Sequence, residues 1–261
     1  MCRHAIYLGK EIYLNQLVAD PEHSLIKQSY EPKELQEAKI NADGYGIGWI
    51  EKDRKVRKYL NTSPIWSDIN LPYIGSAIKA PLIVANIRSA TKGSGFGSEN
   101  LHPFLEDNFL FSHNGYIEDF YGTFGFELKK LLKKNIAISI KGNTDSEIIF
   151  ALIRQYIEEG FNVRNSIIKT IELLKKISKG RKVLFNIIIA HSEKEKISAY
   201  ATRYAIGSNP PSLYYNLENS FINSKNGIVI SSERLDNSSW NKIQSGHLIS
   251  IQECSLKVES I

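Results

Sequence analysis

Cys2 directly follows the initiator methionine and stands just ahead of the apolar run Ala5-Ile6-Tyr7-Leu8. Chain starts are usually polar and frayed, so a thiol at this point asks for a chemical reason. Removal of Met1, which a small second residue permits, would give one residue both a thiol and a free α-amine. With reference pKa values of about 8.5 and about 7.7–8.0, such a residue carries a nucleophile and its own base. The alternative is a small core cysteine at the start of a strand. His4 shares a face with Cys2 in an extended chain. A Cys–His pair is therefore a second way to activate the sulfur, although the amine is closer.

A cysteine that cleaves an amide also needs donors at the developing oxyanion, charged groups that orient the substrate, and a way to exclude water. Ser112-His113-Asn114-Gly115 closes the apolar run Phe109-Leu110-Phe111 and offers an asparagine amide beside a glycine N–H. Asn-Gly is equally the commonest hairpin turn, and these residues alone leave both readings open. Arg88, after the run Leu82–Ile87, could grip a carboxylate with two parallel hydrogen bonds or pair with an acid at the surface. Asp145, in the first turn of an expected helix, could accept from an ammonium or complement the helix dipole. Between them, the stretch from Lys92 to Ser98 carries Gly93, Gly95 and Gly97 at alternate positions, a candidate lid. A phosphate cradle is not expected there, because no Gly-Lys-Ser/Thr follows and Pro103 interrupts any helix. Asn100-Leu101-His102-Pro103-Phe104 reads as an anchored return to the core, and Asn41 to Trp49 as a turn into a glycine-rich strand.

These groups need a scaffold. Strand-like runs come first: Ala5–Leu8, Tyr45–Ile50, Lys55–Leu60, Leu82–Ile87 and Phe109–Ser112. Thr144-Asp145-Ser146-Glu147 then has the form of a capping box, in which Thr144 and Glu147 satisfy each other's backbone donors. Ile148, Ile149, Leu152, Ile153, Tyr156 and Ile157 follow at helical spacing, with Gly160 as the stop. A second stripe runs from Val163 through Ile167, Ile171 and Leu174 to Ile177, ahead of Gly180. Strand patterns return at Val183–Ala190, Ile197–Thr202, Ser212–Tyr215, Gly227–Ser231 and His247–Ile251. This order predicts an α+β fold with sheets covered by helices, not alternating βαβ units. There is no linker, repeat or low-complexity tract, so one domain over residues 1–261 is expected. Its length suffices for a sizeable core.

No apolar run approaches the ~20 residues that span a bilayer, and the start lacks a secretory pattern. The two cysteines, Cys2 and Cys254, allow at most one disulfide, so reduced thiols in a cytoplasmic setting are expected. The histidines are scattered without ligand spacing; neither a metal nor a cofactor is expected. The net charge of +5 rests on short groups such as Lys129-Lys130 and Lys133-Lys134 beside an apolar stripe. These read as solvated faces, and neither nucleic acid nor a membrane is expected as a partner.

Taken in order, Met1-Cys2-Arg3, Asp43-Gly44-Tyr45-Gly46-Ile47-Gly48-Trp49, Arg88-Ser89-Ala90-Thr91, Asn100 to Phe104, His113-Asn114-Gly115 and Thr144 to Glu147 resemble the class II glutamine amidotransferases. These are N-terminal nucleophile hydrolases. The likeness is strongest to the stand-alone branch that includes the γ-glutamyl hydrolase of ergothioneine synthesis and the amidase of glutathione degradation. Ala201-Thr202-Arg203-Tyr204, Ser212-Leu213-Tyr214-Tyr215 and Ser231-Ser232-Glu233-Arg234-Leu235 extend it over the C-terminal half. Ser89 stands where many relatives have alanine, a change that touches local packing.

The resemblance implies a four-layer αββα sandwich and attack by Cys2 on a γ-carbonyl to form a glutamyl thioester, with its own α-amine relaying the proton. It implies that Asn114 and Gly115 hold the oxyanion, that Arg88 binds the α-carboxylate and Asp145 the α-ammonium, and that Thr91 and His102 line or brace the pocket. The expected ligand is a small γ-glutamyl molecule, with specificity set by residues 62–78 and 204–225. Two alternatives stand beside hydrolysis of a conjugate. One is a glutaminase subunit that delivers ammonia to a separate synthetase chain; the other is a non-catalytic γ-glutamyl-binding protein.

Overall fold

The alternation of side chains along the strands sorts the core into layers. In β1 (Arg3–Tyr13), Ile6 and Leu8 enter one apolar cluster while Ala5 and Tyr7 enter another. This is the period-two pattern of a strand covered on both faces. It recurs in the sequence as unbroken apolar runs. The fold is seen in a computed structural model that describes residues 1–34, 40–91, 93–193, 196–218, 222, 227–252 and 255–261. Lys92 of the glycine-rich stretch, Cys254 and parts of the 204–225 segment lie outside the described residues.

After β1 come β2 (Tyr45–Ile50), β3 (Val56–Asn61), β4 (Lys79–Ile87), β5 (Phe104–Glu106), β6 (Phe109–Ile117), β7 (Val183–Glu193) and β8 (Lys196–Ile206). The last strands are β9 (Tyr214–Asn216), β10 (Ile228–Ser231), β11 (Asn241–Lys242), β12 (His247–Gln252) and β13 (Ser255–Ser260). They form a seven-stranded sheet in the order β11-β9-β10-β1-β4-β2-β3 and a six-stranded sheet in the order β13-β12-β8-β7-β6-β5. Strands from both ends of the chain thus share the first sheet.

The helices are α1 (Asn15–Val18), α2 (Leu25–Tyr30), α3 (Leu71–Ala77), α4 (Gly125–Lys129), α5 (Lys134–Ile138), α6 (Asp145–Glu158) and α7 (Val163–Ile177). Leu17, Leu25 and Leu71 of α1, α2 and α3 pack on the outer face of the first sheet with Tyr7 and Ile83. Leu128, Ile149, Leu152, Ile167 and Leu174 of α4, α6 and α7 pack on the outer face of the second sheet with Phe111, Phe185 and Ile187. Between the sheets lie Ile6, Val84, Leu110, Ile188, Ala201 and Ile249. The four layers are helix, sheet, sheet and helix, as the resemblance implied. Among the described residues no helix is long and apolar enough to cross a membrane.

The two long helices match their sequence signals, with one difference at the first cap. Thr144 Oγ1 accepts the Glu147 N–H at 3.3 Å. Glu147 does not return the bond; its carboxylate takes the N–H groups of Lys141 at 2.7 Å and Gly142 at 2.8 Å. The acid therefore ties the preceding loop to the helix start. Both helices end before a glycine in the left-handed region, Gly160 at φ +92° and Gly180 at φ +86°.

One carboxylate ties the 62–78 segment to β2 and β3. Asp68 Oδ2 accepts from the Tyr45 hydroxyl at 2.6 Å, the Tyr59 hydroxyl at 2.7 Å and Asn61 Nδ2 at 2.7 Å. Burial alone would raise this acid, but the hydroxyl and amide donors outweigh it and hold the pKa at about 2.

Candidate active site

Strand register brings Cys2, Arg88 and Asn114 to one end of the space between the sheets. Gly48 pairs with Val84, and a Cβ at Gly48 would meet Leu110 at 2.7 Å. One pleat further along, His4 pairs with Asn86, and both reach Ser112: His4 Nδ1 lies 3.1 Å from its Oγ, and Asn86 Nδ2 donates to it at 3.1 Å. β4 from Val84 to Asn86 therefore tracks β6 from Leu110 to Ser112. Two residues on, about 6.4–6.8 Å, stand Arg88 just past β4 and Asn114 in β6. β1 runs antiparallel to β4 and arrives there with Cys2, whose thiol points at the Ser89 carbonyl 3.8 Å away.

Asn114 is fully buried, and neither its Nδ2 nor its Oδ1 has a hydrogen-bond partner among the described residues. Such an amide ordinarily costs about 1–3 kcal/mol. The hairpin reading of Asn114-Gly115 is corrected here: both residues lie inside β6, paired with Asn186 and Phe185 of β7, and the strand continues to Ile117. Glycine is needed at 115 because a Cβ there would collide with the Leu184 carbonyl and lie 2.6 Å from His113 Nε2.

Arg88 is buried, which removes the reading of a surface ion pair. Its Nη2 donates to Ser94 Oγ at 2.9 Å, Ser94 O at 3.3 Å and Gly95 O at 2.7 Å, so the glycine-rich loop wraps one side of the guanidinium. Its Nη1 finds no partner among the described residues. Asp145 opens α6 and is partly exposed. Its Oδ2 accepts the Ile117 N–H at 2.7 Å and its Oδ1 the Ser146 N–H at 2.7 Å, which joins α6 to the end of β6. Thr91 is exposed; its carbonyl closes a turn with the Ser94 N–H at 2.9 Å, and no hydrogen bond from its side chain occurs among the described residues.

The site's histidines are buried and held neutral. Burial first, then the neighbouring His113 and Arg3, push His4 down to about 3. His102, stacked edge-on against Phe104 at 4.5 Å, lies well below its usual value through burial and the proximity of His113, Arg88 and His4. His113 lies inside β6, and burial lowers it too. His113 Nε2 donates to the Leu184 carbonyl at 2.9 Å, which leaves Nδ1 to accept from Ser146 Oγ at 2.9 Å. His4 points at Ser112 and not at the thiol.

The strand that follows Cys2 is anchored by residues to which sequence reasoning gave no role, two of them in the Ser231-to-Leu235 stretch. Ser232 Oγ accepts the His4 N–H at 3.0 Å, and the Ser232 N–H donates to the His4 carbonyl at 2.9 Å. Glu233 lies 3.3 Å from the fully buried Arg3 and accepts from His23 at 2.7 Å. Asn186, opposite Asn114, has an unbonded buried Oδ1. A polar residue inside an otherwise apolar strand, as in Leu184-Phe185-Asn186-Ile187, was the available signal for it.

Comparison with known proteins identifies the family and the fold. The family model for class-II glutamine amidotransferases matches residues 24–260. The γ-glutamyl-hercynylcysteine sulfoxide hydrolase of Mycolicibacterium smegmatis is 25% identical over 259 residues, covering 99% of both chains. A probable glutamine amidotransferase of Saccharomyces cerevisiae is 24% identical over 305 residues, covering 100% of this chain and 84% of its own. Among solved structures, a glutamine aminotransferase class-II domain protein from Silicibacter pomeroyi shares the fold, with a TM-score of 0.72, 20% identity and 99% of each chain covered. With a family match over most of its length, and with both sheets and both helix layers in place, this chain belongs to the class-II glutamine amidotransferases.

Proposed function

We propose that residues 1–261 form one N-terminal-cysteine amidohydrolase domain that cleaves the γ-amide of glutamine or of a γ-glutamyl conjugate. The observation that carries this reading is the buried, unbonded Asn114 amide at the same end of the sandwich as the Cys2 thiol and the free Nη1 edge of Arg88. With Met1 removed, the Cys2 α-amine takes the thiol proton and Sγ bonds to the γ-carbonyl carbon. Asn114 Nδ2 and the Gly115 N–H donate to the oxyanion, each donor worth about 2.7–4 kcal/mol. The α-ammonium then protonates the leaving nitrogen as the C–N bond breaks. Ammonia or an amine departs, and a glutamyl thioester remains. Water attacks the thioester, gives its proton to the amine, and releases glutamate and the thiol. Arg88 holds the α-carboxylate through Nη1 and Asp145 the α-ammonium, with Thr91 and His102 lining or bracing the pocket.

The end-to-end likeness to a protein named as a γ-glutamyl hydrolase favours a conjugate as substrate. The likeness to a probable glutamine amidotransferase supports the second reading, ammonia delivered to a separate synthetase chain. A cytoplasmic setting belongs to the same proposal. A panel of glutamine, glutathione and γ-glutamyl thiol conjugates, read by glutamate release, separates these. Release from one conjugate supports the hydrolase, and release from glutamine alone supports the ammonia donor. No release by protein confirmed to lack Met1 sinks both and leaves a ligand-binding protein.

A further inference from the structure

The register that aligns β4 with β6 also fixes what lies across from Cys2. A Cβ at Gly48 of β2 would meet Leu110 of β6 and Pro103, just ahead of β5, each at 2.7 Å. β2 therefore leans over the β5 side of β6, and the sheet orders β1-β4-β2 and β7-β6-β5 then set β1 over β7. Arg3 pairs with Ile87, which brings Cys2 level with Arg88. Asn186 of β7 pairs with Asn114, which brings it to the same level in the other sheet. It shares the inter-sheet face with Ile188 and Ala190, two and four residues on, and side chains so opposed have Cβ atoms about 4.5–5.5 Å apart. The Asn186 amide, fully buried, has one end tied. Its Nδ2 donates to the Pro211 carbonyl at 2.9 Å, and Arg203, its β8 partner, donates Nε to the same oxygen at 2.8 Å. A carbonyl only accepts, so the amide nitrogen must face Pro211 on the β8 side. Oδ1 is left over, with no hydrogen-bond partner among the described residues. A buried acceptor without a donor destabilises the fold, and here it points to a donor on the ligand.

We propose that Asn186 is a substrate-binding residue whose Oδ1 accepts an N–H of the scissile γ-amide. This rests on the reading of Arg88 and Asp145 as the groups that hold the glutamyl end. Arg88 follows β4 and Asp145 is bonded to the end of β6. The γ-carbonyl thus reaches Asn114 from that side, and the leaving nitrogen falls on the β7 side, below Cys2. One asparagine then reads the oxygen of the amide and the other its nitrogen, which fixes the amide plane against the thiol. An ester has no hydrogen to offer there, so the pair also tells amides from esters.

The test is calorimetry on the full chain carrying Cys2→Ala, which removes the nucleophile, with L-glutamine and L-glutamate γ-methyl ester as probes. Both have the same α groups and a neutral γ-carbonyl; only glutamine has an N–H beside it. An Oδ1 left unpaired predicts a Kd for the ester about fivefold to hundredfold above that for glutamine. Adding Asn186→Ala removes the acceptor and should bring the two values within about twofold of each other. Equal affinities with Asn186 in place overturn the proposal, and that comparison needs no variant at position 186. A preference that persists in Asn186→Ala overturns it too, because the discrimination then comes from elsewhere. If neither probe binds, the γ-glutamyl reading fails and this proposal with it, whereas equal binding of both leaves that reading standing.

Discussion

At the scale of single residues, Asn114 and Asn86 make a useful contrast. Both are asparagines on the inter-sheet face of buried strands, but Asn86 spends its Nδ2 on Ser112, whereas Asn114 spends neither amide atom. An amide held unbonded destabilises the fold, so its removal should cost function and not stability. Asn114→Ala is expected to lower kcat about 10²- to 10³-fold while the thermal midpoint stays level or rises slightly. Kinetics and a thermal melt on the same preparation check this; an unchanged kcat would contradict the role. The residue types of the site were legible from the sequence, because a thiol, an amide, a guanidinium and a carboxylate each have a narrow chemistry. Whether Asn114-Gly115 turned or ran straight was not. Hairpin signals are local, while the pairing with Asn186 and Phe185 depends on a strand some seventy residues later.

At the scale of elements, α6 and α7 were readable because each carries a cap, an apolar stripe several turns long and a glycine stop. α1 and α2 span 4 and 6 residues, too short for a helical period to register. The 62–78 segment was equally opaque, since Asp68 acts through side chains from β2 and β3. Its removal should loosen that segment. Asp68→Ala would leave the buried Tyr45 hydroxyl unpaired and lower stability by about 1.5–3 kcal/mol, measured by chemical denaturation. A change within about 0.5 kcal/mol, typical of an ordinary surface site, would show that the carboxylate pins nothing.

At the scale of the whole molecule, element order indicated sheets covered by helices and the family resemblance implied the four layers, but strand order followed from neither. β9 to β11 join the sheet of β1, and β12 and β13 join that of β6, through contacts far apart in sequence. The folded interior holds three imidazoles neutral, with His4 at about 3 and His102 and His113 also lowered. Unfolded histidines take up protons near 6.5. Below that pH the unfolded state binds more protons than the folded one, so stability is complete above about 6.5 and falls as pH drops towards the lowered values. Each such histidine contributes up to about 1.4 kcal/mol per pH unit. The thermal midpoint should therefore decline steadily from about pH 6.5 to about pH 4.5; a level or rising midpoint would contradict the buried neutral cluster.

Whether a processed N-terminal cysteine carries the glutamyl group is read by mass spectrometry of enzyme quenched in acid during turnover. The expected N-terminal peptide begins at Cys2 and gains one glutamyl group in alkali-labile linkage. An active enzyme whose N-terminal peptide still carries Met1, or whose glutamyl group sits on another residue, would contradict it.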